Sequence, residues 1–233
     1  MNTEPFSPSL RPSATLLLVG QLLYIVITQF HTGGDANDHP AIFAAYAGSE
    51  IWTAVHVGQF AAMAIVLAGL LALILALDVR GGTTRLAGVF AAAAAVTALA
   101  LYGALQAVDG VANKQADAAW VSAPDTEQAA RFASAEAIRW VEWGLRSYHD
   151  YALGLALLLV AAAVARVVWI PRPIAALMAL TGLAYLAQGW LVGVEGFSPA
   201  VSIAIVLAWV LSLAWMIWLA IVAWRTPAAE SIA

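Results

Sequence analysis

The chain has 233 residues, of which 63% are hydrophobic and only 10% charged, with a formal net charge of −4. A soluble domain carries about 25% charged residues, so a water-soluble fold of this length lacks the polar surface it needs, and the positive mean hydropathy agrees. Without a clustered basic face there is no nucleic-acid partner of the phosphate-binding kind, and the lack of cysteine excludes disulfides and thiolate metal sites.

These bounds predict an all-α, polytopic integral membrane protein with six transmembrane helices, its partner being the lipid bilayer. Residues 1–12 contain three prolines and read as a disordered tail. Residues 13–225 form the six-helix domain, and 226–233 a C-terminal tail. The first apolar run is about 13–30. Ala45-Tyr46-Ala47 has the small-x-small form of a signal-peptidase site, but it lies too far beyond that run, which is therefore expected as a retained helix. Residues 31–40, from His31 to Pro40, read as a turn-rich loop. The second helix is expected over about 49–77, and a polar turn over 78–85. The third begins near Leu86 and is rich in alanine, which lets neighbouring helices approach closely.

No proline follows until Pro124, although Gln106, Asp109, Asn113 and Lys114 bring polar groups in. From Ser122-Ala-Pro-Asp125, a plausible helix start, a helical pattern runs to about Val168. That is roughly 45 residues, or nearly 70 Å at about 1.5 Å each, against the roughly 20 residues a bilayer core needs. The third and fourth helices are therefore expected to project as a long outer hairpin, or to break near Gly110 and Gly144. The fifth helix is expected over about 174–194 and the sixth over about 200–224. Arg11, Arg80, Arg85, Arg166, Arg172 and Arg225 lie near one set of helix ends. The positive-inside rule then predicts a cell-membrane protein with both termini cytoplasmic.

All four histidines (His31, His39, His56 and His149) fall on the outward side of this topology, as do all acids except Glu4, Asp78 and Glu230. Tyr102, Gln106, Asp109 and Asn113 share one helical face, as do Glu136, Arg139, Glu142, Arg146 and His149. Tyr185, Gln188 and Glu195 make a third stripe, Gln21, Tyr24, Thr28 and His31 a fourth, and Thr53, His56 and Gln59 a fifth. An ionisable group facing lipid costs about 2.5–3.5 kcal/mol at mid-membrane, so the stripes are expected to face one another around an outward-opening polar chamber. Against this stands a plainer account. Charges at helix ends are near water, and Trp52, Trp120, Trp140, Trp143 and Trp190 are what an interfacial aromatic belt requires. Arg139 and Arg146 have Glu142 and Asp150 as neighbours on their own helix, although Asp109 is a further natural partner for Arg146.

Two echoes suggest a repeat of helices two and three in four and five. Glu50 and His56 match Glu142 and His149, and Asp109-Gly110 matches Glu195-Gly196. A parallel repeat would place His56 against Asp109 as it places His149 against Glu195. Residues 105–114, together with Glu136-Ala-Ile-Arg-Trp-Val-Glu142 and Trp52-Thr-Ala-Val-His-Val-Gly-Gln59, resemble a group of actinobacterial multi-spanning membrane proteins that share a domain of unknown function. The resemblance covers about residues 45–200. It implies six helices and no particular activity.

The chemistry expected is that of a chamber that binds or acts on a small apolar molecule or lipid. Asp109, His149 and Glu142 are the candidate catalytic groups, since carboxylates against aromatic walls can exchange protons. His56, Gln106, Arg146, Gln188, Glu195 and Tyr102 are the candidate ligand-binding residues. The alternative is a haem or metal protein using His56 and His149, or a structural subunit that contacts a partner through its outer hairpin. An oligomer is compatible with either. No HExxH, P-loop or dinucleotide-binding glycine pattern names a cofactor. A transporter is disfavoured by unbroken helices and an apolar inner half.

Overall fold

In a hydrocarbon solvent every backbone amide must find its partner within the protein, and helices do this locally. The computed structural model describes residues 10–77 and 82–225, and among them all regular structure is helical. Of the tail expected over 1–12, residues 10–12 already belong to the first helix, while residues 1–9, the expected tail at 226–233 and the centre of the 78–85 turn lie outside the described residues. The helices are α1 (Leu10–Thr28), α2 (His39–Gly48), α3 (Trp52–Ala76), α4 (Gly82–Ala107), α5 (Lys114–Val121), α6 (Asp125–Val164), α7 (Arg172–Glu195) and α8 (Pro199–Arg225), with a π-helical segment, Val108–Asn113, joining α4 to α5. Six stretches are long and apolar enough to span a bilayer: α1, α3, the continuous α4–α5 rod, α6, α7 and α8. The protein is an all-α membrane protein. Leu22, Val57, Leu75, Phe90, Leu155, Leu183 and Ile203 stand exposed on the outside of their helices, as a bilayer environment requires.

Small residues set the packing. A side-chain carbon on Gly69 would come within 2.7 Å of the Leu17 backbone nitrogen, and one on Gly20 within 2.8 Å of that of Val66, so α1 and α3 touch along their backbones. Gly154 and Gly182 do the same for α6 and α7, with 2.7 and 2.8 Å to the opposing carbonyl oxygen. Ala91, Ala95 and Ala98 are fully buried in the core. Ser13 adds a hydrogen bond from its hydroxyl to the Gly69 carbonyl at 2.9 Å.

Arg11 donates to the Ala223 carbonyl at 3.2 Å, so α1 begins where α8 ends. The opposite end of the bundle carries the 31–38 loop, α2, α5 and the first half of α6. There Ile42, Phe43, Tyr46, Trp52 and Ala135 form a small core of their own, packed by Ala116, Trp120 and Phe132. Residues 111–140 are helical apart from a turn at 122–124. At 40 residues, α6 is about 60 Å long, twice the roughly 30 Å hydrocarbon core. Neither of the breaks offered at glycine interrupts the helix: at Gly110 it widens into the π-helical segment, and at Gly144 it continues. The loop assigned to residues 31–40 ends two residues earlier than expected, at Asp38, because α2 begins at His39. Asp38 accepts the Ala41 amide at 3.3 Å, and Pro40 occupies the first turn. Trp52 belongs to the buried floor and not to an interfacial belt, whereas Trp140 and Trp190 are exposed as a belt requires.

The glycine contacts predict a contrast. Gly154→Val should cost about 1–3 kcal/mol through overpacking and lower the thermal unfolding midpoint in detergent. Gly144→Ala, with nothing within 4 Å of the added carbon, should leave the midpoint unchanged or raise it. Equal midpoints for both variants would contradict the close α6–α7 approach.

Candidate functional site

A π-helical turn leaves carbonyls turned away from the regular ladder, and such turns recur at functional sites. Here α3 takes them up. The Trp52 indole donates to the Asp109 carbonyl at 2.7 Å, and the Thr53 hydroxyl to the Gly110 carbonyl at 2.9 Å. Only glycine fits at 110, since a side-chain carbon there would lie 2.6 Å from the His56 Cβ. The close approach brings His56 Nε2 to 2.9 Å from Asp109 Oδ2.

A carbonyl can only accept, so the His56 Nδ1 at 2.8 Å from the Trp52 carbonyl carries a proton and donates it. His31 does the same toward the Thr32 carbonyl at 3.1 Å. Its ring lies 5.3 Å from that of His56, centroid to centroid, and 4.6 Å from Trp52. Burial holds the His31 imidazole below its usual pKa, an effect the Asp109 carboxylate partly opposes. His31, His56 and Asp109 each present a ligand atom, all within 4.8 Å of one another, and could hold a metal ion.

Beside this group lies a second one. Arg139 Nη1 donates to Glu142 Oε2 at 2.5 Å, both side chains being buried. Asn113 joins the two groups, donating to Glu142 Oε2 at 2.6 Å and to Asp109 Oδ1 at 3.2 Å. The Arg139 guanidinium lies over the rings of Tyr46 and Phe197 and donates to the Ala36 carbonyl at 3.2 Å. Burial pushes the Tyr46 phenol up, so it stays neutral. Lys114 donates to the carbonyls of Tyr46, Ala47 and Ser49 at 2.7–2.8 Å, neutralising the C-terminal end of α2.

These groups face a cavity of about 810 Å³. Its walls include His31, Tyr46, Asp109, Arg139 and Glu142 at one level. Tyr24, Tyr102, Gln106, Arg146 and Trp209 lie deeper, and Ile203 and Val206 line the α8 side. Tyr102 Oη and Gln106 Oε1 are buried with no hydrogen-bond partner. Ile203 and Val206 are also 71% and 56% exposed on the bundle surface, so the cavity is continuous with the lipid-facing side of α8.

Of the expected residues, Tyr102, Gln106, Asp109, Glu142 and Arg146 line this cavity, and His56 stands directly behind Asp109. Three do not converge with them. His149 is buried against Tyr102, its Nδ1 donating to the Ala98 carbonyl at 2.9 Å, and it lies outside both the cavity wall and the metal-capable group. Glu195 is exposed at the end of α7 and accepts from the Ser198 hydroxyl at 2.9 Å. A carboxylate is cheaper there than inside, and Gly196, with a φ of 66°, turns the chain just beyond it. The His149–Glu195 pair expected from a repeat therefore does not form. Gln188 supports the site from behind, accepting from Arg146 at 3.2 Å and donating to the Ala204 carbonyl at 3.2 Å. Arg146 pairs with Asp150 at 3.0 Å and not with Asp109. His31, Arg139 and Asn113 belong to the site and lay on stripes visible in the sequence. Tyr46 gave no such signal, because its place depends on α2.

Comparison with protein-family models, with curated proteins and with solved structures returned no match. The functional reading rests on the geometry.

Breaking a buried ion pair leaves one charge uncompensated, at about 3–5 kcal/mol. Arg139→Met and Glu142→Leu should each destabilise the protein by about that amount, and the double variant by clearly less than the sum. Additive losses in a thermal or denaturant double-mutant cycle would refute the pairing.

Proposed function

We propose that the protein takes up a small, largely apolar molecule or a lipid from the outer leaflet of the cell membrane into this cavity, with both termini cytoplasmic. The continuity between the cavity and the lipid-facing surface at Ile203 and Val206 carries the reading. Ligand pockets typically enclose about 300–1,000 Å³ with apolar walls and a few fixed polar groups, and this one has that size and composition. Tyr102 and Gln106 supply polar atoms without protein partners, suited to a carbonyl or hydroxyl of the ligand. Glu142 is the group we assign to any proton transfer on its head. His149, turned to the Ala98 carbonyl, takes no part in it, and a haem held between His56 and His149 has no support in this geometry.

A diazirine-bearing fatty acid, photolysed with the protein in nanodiscs, tests the uptake. Cross-links are expected on the buried Tyr102 and Gln106 side chains themselves, and not on the exposed Ala104 and Ala107 beside them, and Val206→Trp should reduce them severalfold without lowering the unfolding midpoint. Cross-links confined to outward residues such as Leu22 and Val57 would sink the reading.

Orientation has its own test, because a chain without cysteine gives each introduced thiol a clean signal. Ser122→Cys should react with an impermeant maleimide in intact cells, and Trp224→Cys only after lysis. The reverse pattern would invert the topology.

A further inference from the structure

We infer that His31, His56 and Asp109 bind one divalent transition-metal ion of the zinc type, reached from the cavity. The starting point is tautomer chemistry. Both imidazoles give their Nδ1 proton to a backbone carbonyl, His56 to Trp52 and His31 to Thr32. In each neutral ring the lone pair then sits on Nε2. Metal-ligating histidines are held in this way, with the distal ring nitrogen fixed by an acceptor outside the coordination sphere.

The second observation concerns what Nε2 of His56 meets. It is 2.9 Å from a carboxylate oxygen, a distance that suits a hydrogen bond, yet it is buried and without a hydrogen-bond partner of acceptable geometry. A lone pair set against a carboxylate is repulsive unless a cation joins them. A proton on Nε2, shared with the carboxylate, would be one answer. A metal ion is the other, since it needs two donors to converge on a common point and not on each other. Donors about 2.0–2.2 Å from a tetrahedral ion lie about 3.4 Å apart. The three ligand atoms here all fall within 4.8 Å of one another, so drawing His31 inward while the 2.9 Å His56–Asp109 pair opens by about 0.5 Å completes the set.

The third observation is support and access. Asp109 is held by Asn113 at its other oxygen and by Trp52 at its carbonyl, and His56 by the close approach of Gly110. His31 and Asp109 both line the cavity. Three protein ligands with an open side is the form of catalytic zinc sites, where water or substrate takes the remaining position. On the reading that the cavity holds an amphiphile, this position would take an oxygen donor of its head group, such as a carboxylate, ester carbonyl or phosphate oxygen. That clause rests on the proposed function, whereas the ion's own site does not.

The test uses the full chain, purified in detergent without a polyhistidine tag, stripped with chelator and titrated with Co²⁺. One Co²⁺ per chain by elemental analysis is expected, with the intense visible bands of a four- or five-coordinate ion, displaced by Zn²⁺. His31→Ala and Asp109→Asn should each weaken binding by about 100-fold or more, exceeding the roughly 10–100-fold effect of losing an outer-shell partner. Both positions spare the His56 packing, and unchanged unfolding midpoints confirm that the variants are folded. His149→Ala should bind Co²⁺ like the parent. No Co²⁺ above the level of the His31→Ala/Asp109→Asn double variant, or binding that survives both single substitutions, would overturn the site. Metal binding without fatty-acid cross-links to Tyr102 and Gln106 would keep this inference and remove the proposed ligand; the converse result would remove the ion alone.

Discussion

The site depends on the contact between α3 and the π-helical segment. A wide turn in an apolar environment exposes backbone carbonyls that neither water nor lipid can satisfy. Trp52 and Thr53 accept that burden at Asp109 and Gly110. The same contact fixes how deep Asp109 lies, how its carboxylate is aimed and how near His56 can stand. A regular α-helix through these residues would satisfy its own carbonyls and would have no use for Trp52. The cost of the irregular turn thus falls on the same residues that give the site its geometry, and glycine at 110 is what lets the two helices meet.

Charge in the bundle is handled close to where it arises. On α6, Arg139 is three residues from Glu142 and Arg146 four from Asp150, and each cation meets its own anion. Neutralisation within one helix means that α6 carries four charges without relying on its neighbours for compensation. The other helices then supply hydrogen bonds only: Asn113 to Glu142, and Tyr24 and Gln188 to Arg146. Asp109 is the exception, since its nearest cation-capable partner is a histidine from another helix. A site whose charge state is left to a proton or an ion can respond to a ligand, whereas a permanent guanidinium pair cannot.

Much of this was legible in the sequence, for identifiable reasons. Hydropathy gave the six spans because lipid exposure leaves few choices of side chain. The spacing of Tyr102, Gln106, Asp109 and Asn113 gave the polar face of the third span, and burial energetics gave its inward direction. What could not be read was partner choice. His56 and His149 looked equivalent as outward histidines on facing stripes, and only the turn at Gly110 and the close helix contacts separate them. Glu195 looked like the counterpart of Asp109 because each precedes a glycine. At 110 that glycine lies within a continuous helical rod, but at 196 it ends a helix, so one carboxylate is buried and the other reaches water. The Asp38-His39-Pro40 start of α2 was present in the sequence but was absorbed into a loop dense with turn residues. With it went the place of Tyr46 and the cap over the site.

On the proposed function, the layout of the cavity favours one orientation of the ligand. α4 runs toward the capped end and α8 away from it, so Tyr102 lies about two turns, or roughly 10 Å, deeper than Asp109, and Trp209 about two to three turns deeper than Pro199. His31, Asp109, Arg139 and Glu142 therefore occupy the shallow level, and Tyr102, Trp209 and Val206 the deep one, where Arg146 also lies with its charge taken up by Asp150. A lipid of the adjacent leaflet has the same gradient, with its head shallow and its chain deep. Such a molecule could pass sideways along α8 without turning over and without drawing its head through hydrocarbon. Asn37 steadies the shallow rim by donating to the Glu195 carbonyl at 2.9 Å and accepting the Phe197 amide at 3.0 Å, which ties the 31–38 loop to the α7–α8 turn. The rim is thus cross-linked by polar contacts while the α8 side is lined by lipid-exposed aliphatic side chains, and it is the latter that can yield to an entering chain at least cost.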